Sequence, residues 1–230
     1  MAGRSVLVTG MSGLIGRALR PLLEGRYDLR ALNRSAVEGL PCHRADIADL
    51  GAIEPAFDGV HTVVHLAAQV GNPAWESVQR YNITGTYNVL EAARKAGVKR
   101  VIFASSGATI SAIEADKPYS DLVAGHYEGL ASWPMLTHLS PLRPAGLYGA
   151  SKVWGEALGR HYADAHGLSV LCVRIGRVRA EDRPTSAREF SVWCSQRDIA
   201  HLLERCIEAP DSVRYDIFFG TSRNKWGYRD

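Results

Sequence analysis

Cysteine is scarce in this 230-residue chain: Cys42, Cys172, Cys194 and Cys206 are widely spaced and form no C-x-x-C pair. Neither a zinc cluster nor a disulfide framework is therefore expected, and no metal site is assigned. Long apolar runs are lacking too, and none approaches the length of a membrane span. The N-terminus leads straight into a strand pattern without a secretory leader, so no membrane association is expected and the expected compartment is cytoplasmic. An excess of one charge is also missing. The net charge is +3, without a block of like charge or a basic stripe interleaved with aromatics, which argues against nucleic acid as a partner. There is no internal repeat.

What is there reads as one globular α/β chain. Hydrophobic residues make up 46% of the composition, enough for a sizeable core. Strand-like and helix-like stretches alternate: strands over Ser5–Thr9, Tyr27–Leu32, Thr62–Ala67, Arg100–Ala104, Ser169–Arg174 and Tyr215–Gly220, and helices over Leu14–Glu24, Asp49–Phe57, Tyr81–Ala96, Tyr148–His166 and Arg197–Glu208. Pro21 predicts a kink in the first helix. Such alternation implies a parallel sheet covered on both faces, a Rossmann-type doubly wound fold. Residues 1–175 are read as the dinucleotide-binding domain, and residues 176–230 as a small C-terminal substrate-binding segment with a closing helix and strand. The long stretches Gly107–Leu147 and Gly176–Ser195 exceed ordinary connections and are expected to bind substrate.

The chain is organised around Val6–Gly16. A β-branched run ends in Gly10-Met11-Ser12-Gly13-Leu14-Ile15-Gly16, a G-x-x-G-x-x-G pattern at the entrance to an amphipathic helix. Glycine lets the backbone turn sharply and lets phosphate approach the amides of a helix N-terminus, so Gly10, Ser12, Gly13, Leu14, Ile15 and Gly16 are candidates for a dinucleotide pyrophosphate. About 20 residues on, NAD-binding units carry an acid for the ribose hydroxyls. Here the sequence is Asn33-Arg34. Arg34 suits a 2′-phosphate and Asn33 does not repel one, so NADP is expected, with NAD as the alternative. Asp46 and Ile47 are placed at the adenine edge.

Tyr148 and Lys152 are four apart on one helical face, in Tyr148-Gly149-Ala150-Ser151-Lys152. An ammonium beside a phenol is expected to lower its pKa, fitting the pair for exchange of a hydroxyl proton. Ser105 and Ser106 close the fourth strand, at the carboxyl edge where ligands of parallel sheets sit.

These pieces resemble the extended short-chain dehydrogenases/reductases, also known as the NAD-dependent epimerase/dehydratase family. The matching runs are Thr9–Gly16, His65-Leu66-Ala67-Ala68, Tyr81–Val89, Phe103-Ala104-Ser105-Ser106 and Tyr148–Lys152, in the family's order. The resemblance implies a catalytic trio of Ser106, Tyr148 and Lys152. It further implies a cofactor lining that includes Leu66, Ala67, Ala68 and Ile175, with Asn82 among the supporting hydrogen bonds, whereas His65 reads as a satisfied core histidine. Within the family the uronate dehydrogenases are most similar, through Gly146–Gly149, Val173–Gly176 and Ser191–Asp198. The resemblance implies that Arg188 holds a carboxylate and that Ser106, Gly107 and Arg177 face the substrate. This chain differs from them in having Gly107-Ala108 after the serine, Arg177 after the Arg-Ile-Gly run, Asn33 at the strand end, and an additional stretch at Tyr119–Leu139 read as a lid.

The expected activity is hydride exchange between a nicotinamide cofactor and a small, anionic, sugar-acid-like substrate. A nucleotide-sugar epimerase or dehydratase and a non-catalytic dinucleotide-binding protein are the alternatives. Five arginines between Arg174 and Arg188 support an anion. Helices Tyr81–Ala96 and Tyr148–His166 correspond to those that relatives pair in a homodimer.

Overall fold

In the computed structural model, which describes residues 4–230, the chain folds around β1 (Ser5–Thr9), buried at all five of its residues. Burial on both faces explains why Val6-Leu7-Val8 is continuously apolar rather than alternating. The elements that follow are α1 (Leu14–Leu23), β2 (Asp28–Asn33), β3 (Cys42–Arg44), α2 (Leu50–Ile53), β4 (Thr62–His65) and α3 (Trp75–Ser77). A π-helical segment, Val78–Thr84, then runs into α4 (Gly85–Lys95). After β5 (Arg100–Ser106) come α5 (Tyr119–Ala124), α6 (Leu147–His166), β6 (Ser169–Ile175), α7 (Glu189–Val192), α8 (Gln196–Glu208) and β7 (Tyr215–Gly220).

The strands form one seven-stranded sheet in the order β3-β2-β1-β4-β5-β6-β7, and every pairing is parallel. The chain winds outward from β1 to β3, then crosses over and winds the other way from β4. The crevice beyond Thr9 and His65, which are register partners, is therefore the topological switch point where α/β folds bind ligands. Leu19 and Leu23 of α1 share one core with Ile199 and Leu203 of α8. On the other face, Val89, Leu90 and Ala93 of α4 meet Tyr162 of α6.

The architecture agrees with the expected doubly wound sheet, and several details differ. β3 escapes the hydrophobic pattern because its three residues, Cys-His-Arg, sit at the sheet edge and are half-buried or exposed. The helix expected at Tyr81 begins at Trp75, through the π segment. Pro21 does not interrupt α1: it lies on the exposed side within one turn of the C-terminus, and the helix continues to Leu23. The expected lid contains α5 and builds a third apolar cluster, with Tyr119 and Leu122 packed against Tyr228. Trp133 Nε1 donates to the Gly227 carbonyl at 2.8 Å, so this stretch clamps the C-terminal segment, and none of its residues lines the site groove.

Candidate functional site

Two adjoining cavities, of about 280 and 550 Å³, share Gly10, Gly13, Leu66 and Ala68 and make one groove across the carboxyl edge of the sheet. Gly10 has φ of +72°, and a Cβ there would come within 2.9 Å of the Ala67 nitrogen. At Gly16 a Cβ would collide with the Met11 carbonyl. Both positions thus require glycine. The N-cap of α1 is Gly13, which offers no capping side chain, and the first turn carries no acid. Helix geometry leaves its amides without intrahelical acceptors, and the groove in front of them is lined by Gly10, Gly13, Leu14, Ile15 and Gly16. A pyrophosphate fits this arrangement in both space and sign.

Ser12, Asn33, Arg34, Asp46, Ile47, Leu66, Ala67 and Ala68 line the groove toward β2. Asn33 Nδ2 donates to Ser12 Oγ at 3.2 Å and to the Ser35 carbonyl at 3.0 Å, pinning the turn after β2. Exposed Arg34 lies 5.3 Å above the Tyr81 ring, and Arg44 borders the same opening. Asp46 pairs with Arg80 at 2.8 Å. Burial pushes its carboxyl up, but the Ala48 amide and Arg80 outweigh that and hold it below the usual range. Asn82 is not on the groove wall. It is 2% exposed; its Oδ1 accepts from the Gln69 amide at 2.8 Å, and its Nδ2 donates to Ser151 Oγ at 3.1 Å. It ties the groove's floor to α6 from behind.

His65 is completely buried, with Nδ1 2.8 Å from Thr9 Oγ1 and Nε2 3.3 Å from Thr86 Oγ1. Burial, helped by the nearby Lys152 charge, pushes it down to about 3, so the ring is neutral and joins β1 to β4.

Strand alternation sends the two serines of β5 in opposite directions. Ser105 Oγ donates to Glu156 at 2.5 Å, whereas Ser106 lies in the groove with Tyr148, Lys152 and Gly107. Ser106 is the neighbouring hydroxyl that acts on the Tyr148 phenol. Lys152 Nζ donates to the Ala104 carbonyl at 2.7 Å and lies 5.7 Å from the Tyr148 ring centre. Burial brings this lysine down to about 8. The expected lowering of the phenol does not follow from this geometry. Burial raises Tyr148, and the nearby Ser106 hydroxyl offsets that only in part.

Of the five arginines between positions 174 and 188, only Arg177 and Arg188 line the groove. Arg174 turns inward, 1% exposed, and forms a two-point pair with Glu156 at 2.9 and 2.8 Å. Arg179 pairs with Glu189 at 2.5 Å. Ile175 and Gly176 complete the wall. Arg188 is engaged by Glu114 through Nε and Nη2. The same carboxylate accepts from Tyr228 Oη at 2.6 Å and from Arg229 Nη2 at 2.8 Å. Burial opposes ionisation of Glu114, but Arg188, Arg229 and Tyr228 outweigh it and hold the carboxyl below its ordinary value. Sequence reading does not find Arg229 or Glu114. They are 115 residues apart, and the one local signal is the small residue at Gly107, against which the Arg229 guanidinium sits.

The sequence matches the NAD dependent epimerase/dehydratase family over residues 6–191. It is 38% identical over 234 residues to the NAD-dependent glucose-6-phosphate dehydrogenase of Haloferax volcanii, covering 97% of this chain and 87% of that one. Identity to a uronate dehydrogenase of Agrobacterium fabrum is 34%, covering 99% and 80%. A crystal structure of uronate dehydrogenase from Agrobacterium tumefaciens, a mutant complexed with NAD, superposes with a TM-score of 0.82 at 32% identity, covering all of this chain and 81% of that one. A single parallel sheet, a glycine turn at its switch point and a family match across most of the chain lead to one assignment: the protein belongs to the NAD dependent epimerase/dehydratase family.

Proposed function

We propose that the protein is an NAD(P)-dependent dehydrogenase/reductase of the extended short-chain type that interconverts a hydroxyl and a carbonyl on a small anionic sugar. The observation that carries this reading is the grouping of Ser106, Tyr148 and Lys152 in one groove with the glycine turn. A bound nicotinamide dinucleotide supplies the hydride acceptor or donor. The amides at the start of α1 hold its pyrophosphate, and Leu66, Ala67, Ala68 and Ile175 form the apolar wall. Tyr148 carries the proton of the substrate hydroxyl, and Ser106 hydrogen-bonds the same oxygen. Because burial raises the phenol, Tyr148 is protonated at neutral pH and ready to act as the acid in carbonyl reduction. Two relatives named for anionic sugars, and arginines at 177 and 188 on the groove, support an anionic substrate.

Arg34 and the absence of an acid at the end of β2 favour NADP over NAD. We also infer a homodimer through the outer faces of α4 and α6, where Tyr87 is 43% exposed. The four cysteines are free thiols, which supports a reducing, cytoplasmic compartment.

The test is Tyr148→Phe. Turnover should fall by about 10²-fold or more, while dinucleotide affinity, read by quenching of NAD(P)H fluorescence, stays within about twofold of the parent. A variant with near-parental turnover refutes the assignment.

A further inference from the structure

We propose that Arg229, seated against Gly107, is a specificity-determining residue that joins Arg188 in binding a phosphoryl group of the substrate in preference to a carboxylate. This rests on the sugar dehydrogenase reading above and names its substrate class.

Arg229 is 7% exposed, yet it borders the groove beside Ser106, Gly107 and Tyr148. Only Nη2 is engaged, by Glu114 and, at 3.4 Å, by Tyr228 Oη. Among the described residues Nε is buried without a hydrogen-bond partner. Nη1 stands over Gly107, where any Cβ would collide with it. A guanidinium held this deep with donors unspent is costly unless a ligand accepts from it.

The state of Arg188 decides between the two kinds of anion. A carboxylate is held best by a two-point fork. On Arg188 the Nε–Nη2 edge of that fork is already taken by Glu114. A substrate carboxylate would have to displace an internal one, or lie beside it and be repelled. What remains is the Nη1 end of each of Arg188 and Arg229, two guanidiniums that line the groove and meet at the same Glu114 oxygen, Oε1. Convergent single donors suit a tetrahedral group with three acceptor oxygens better than a planar one with two.

Charge leads to the same choice. Glu114 neutralises one of its two arginines, and Glu189 neutralises one of Arg177 and Arg179. Two positive charges are left at this end of the groove, matching a phosphoryl dianion. Gly107 is what gives Arg229 its place, so the two positions act as a unit.

The experiment uses the full chain saturated with NADH, which occupies the pyrophosphate site and brings no 2′-phosphate. Inorganic phosphate and acetate are titrated into it by calorimetry. The parent should bind phosphate at least tenfold more tightly than acetate. Arg229→Met should weaken phosphate at least tenfold, Arg229→Lys should recover part of the loss, and Gly107→Ala should weaken phosphate comparably by displacing the guanidinium. In turnover assays the ratio of kcat/KM for a hexose 6-phosphate to that for a hexuronate should fall at least tenfold in both Arg229→Met and Gly107→Ala. Equal affinity of the parent for phosphate and acetate, or unchanged phosphate binding in the variants, overturns the proposal. If Arg229→Met fails to fold, Gly107→Ala, which removes neither the Arg229 nor the Glu114 charge, decides it in the same way. Failure of the parent to bind NADH would instead overturn the dehydrogenase reading beneath it.

Discussion

Arg34 has no ion-pair partner among the described residues; it rests on Tyr81 and borders the opening at the end of β2. A cation in that position should distinguish cofactors differing only at the 2′-phosphate. NADPH is expected to bind more tightly than NADH, and Arg34→Ala should remove the difference, about 1.5–3 kcal/mol for one charged hydrogen-bonding pair. Equal dissociation constants in the parent protein would rule the assignment out. At this scale the sequence was most informative where partners are close along the chain. Tyr148 and Lys152 are one helical turn apart, and the glycine turn is continuous, so local geometry alone places them. The resemblance names Ser106 rather than Ser105, and strand alternation supplies the physical reason, since Ser105 turns to Glu156 and Ser106 to the groove. Arg229 was out of reach, because the contact that makes it interesting joins it to Glu114 and Gly107 from more than a hundred residues away.

Tyr148, Lys152 and Glu156 follow one another at four-residue intervals along α6, and each meets a different part of β5 or β6. Lys152 reaches the Ala104 carbonyl, and Glu156 takes both Ser105 and Arg174. The buried Glu156–Arg174 pair therefore sets the height of α6 on the sheet and, with it, the position of the phenol. Arg174→Met should leave a buried carboxylate without its cation and destabilise the fold by about 3–5 kcal/mol in a urea titration. A loss below about 1 kcal/mol would show that Glu156 finds another partner or is protonated. This arginine was misleading in the sequence. It was grouped with its neighbours as a candidate for the substrate, and the alternation of β6, extending through Ile175, turns it inward. The π segment before α4 was equally hidden: the periodicity of Tyr81–Ala96 is helical, whereas Asn82, inside that segment, bonds to Gln69 and Ser151, contacts that a local pattern does not carry.

For the molecule as a whole, the doubly wound sheet was legible because buried parallel strands are written as apolar runs, and the glycine-closed helices between them alternate regularly. The short edge strand β3 and helices α5 and α7 were not, since three to six residues carry too little pattern. Helices α4 and α6, joined by Tyr162 Oη on Glu91 at 3.0 Å, are expected to bury their outer faces against a second copy. Sedimentation at micromolar concentration should give twice the chain mass, and a monomer there would remove the dimer. Because all seven strands run the same way, the helices that follow them begin on a common rim and add their partial positive charges to those of Arg177, Arg188 and Arg229. That rim should act as an electrostatic funnel, drawing anions from solution before any contact is made. Raising ionic strength from about 0.01 M to about 0.15 M shortens the Debye length from about 30 Å to about 8 Å. Capture of an anionic sugar, measured as kcat/KM at low substrate, should slow steeply over that range, while capture of a neutral sugar should barely respond; parallel salt dependence for the two would mean that encounter is governed by shape alone.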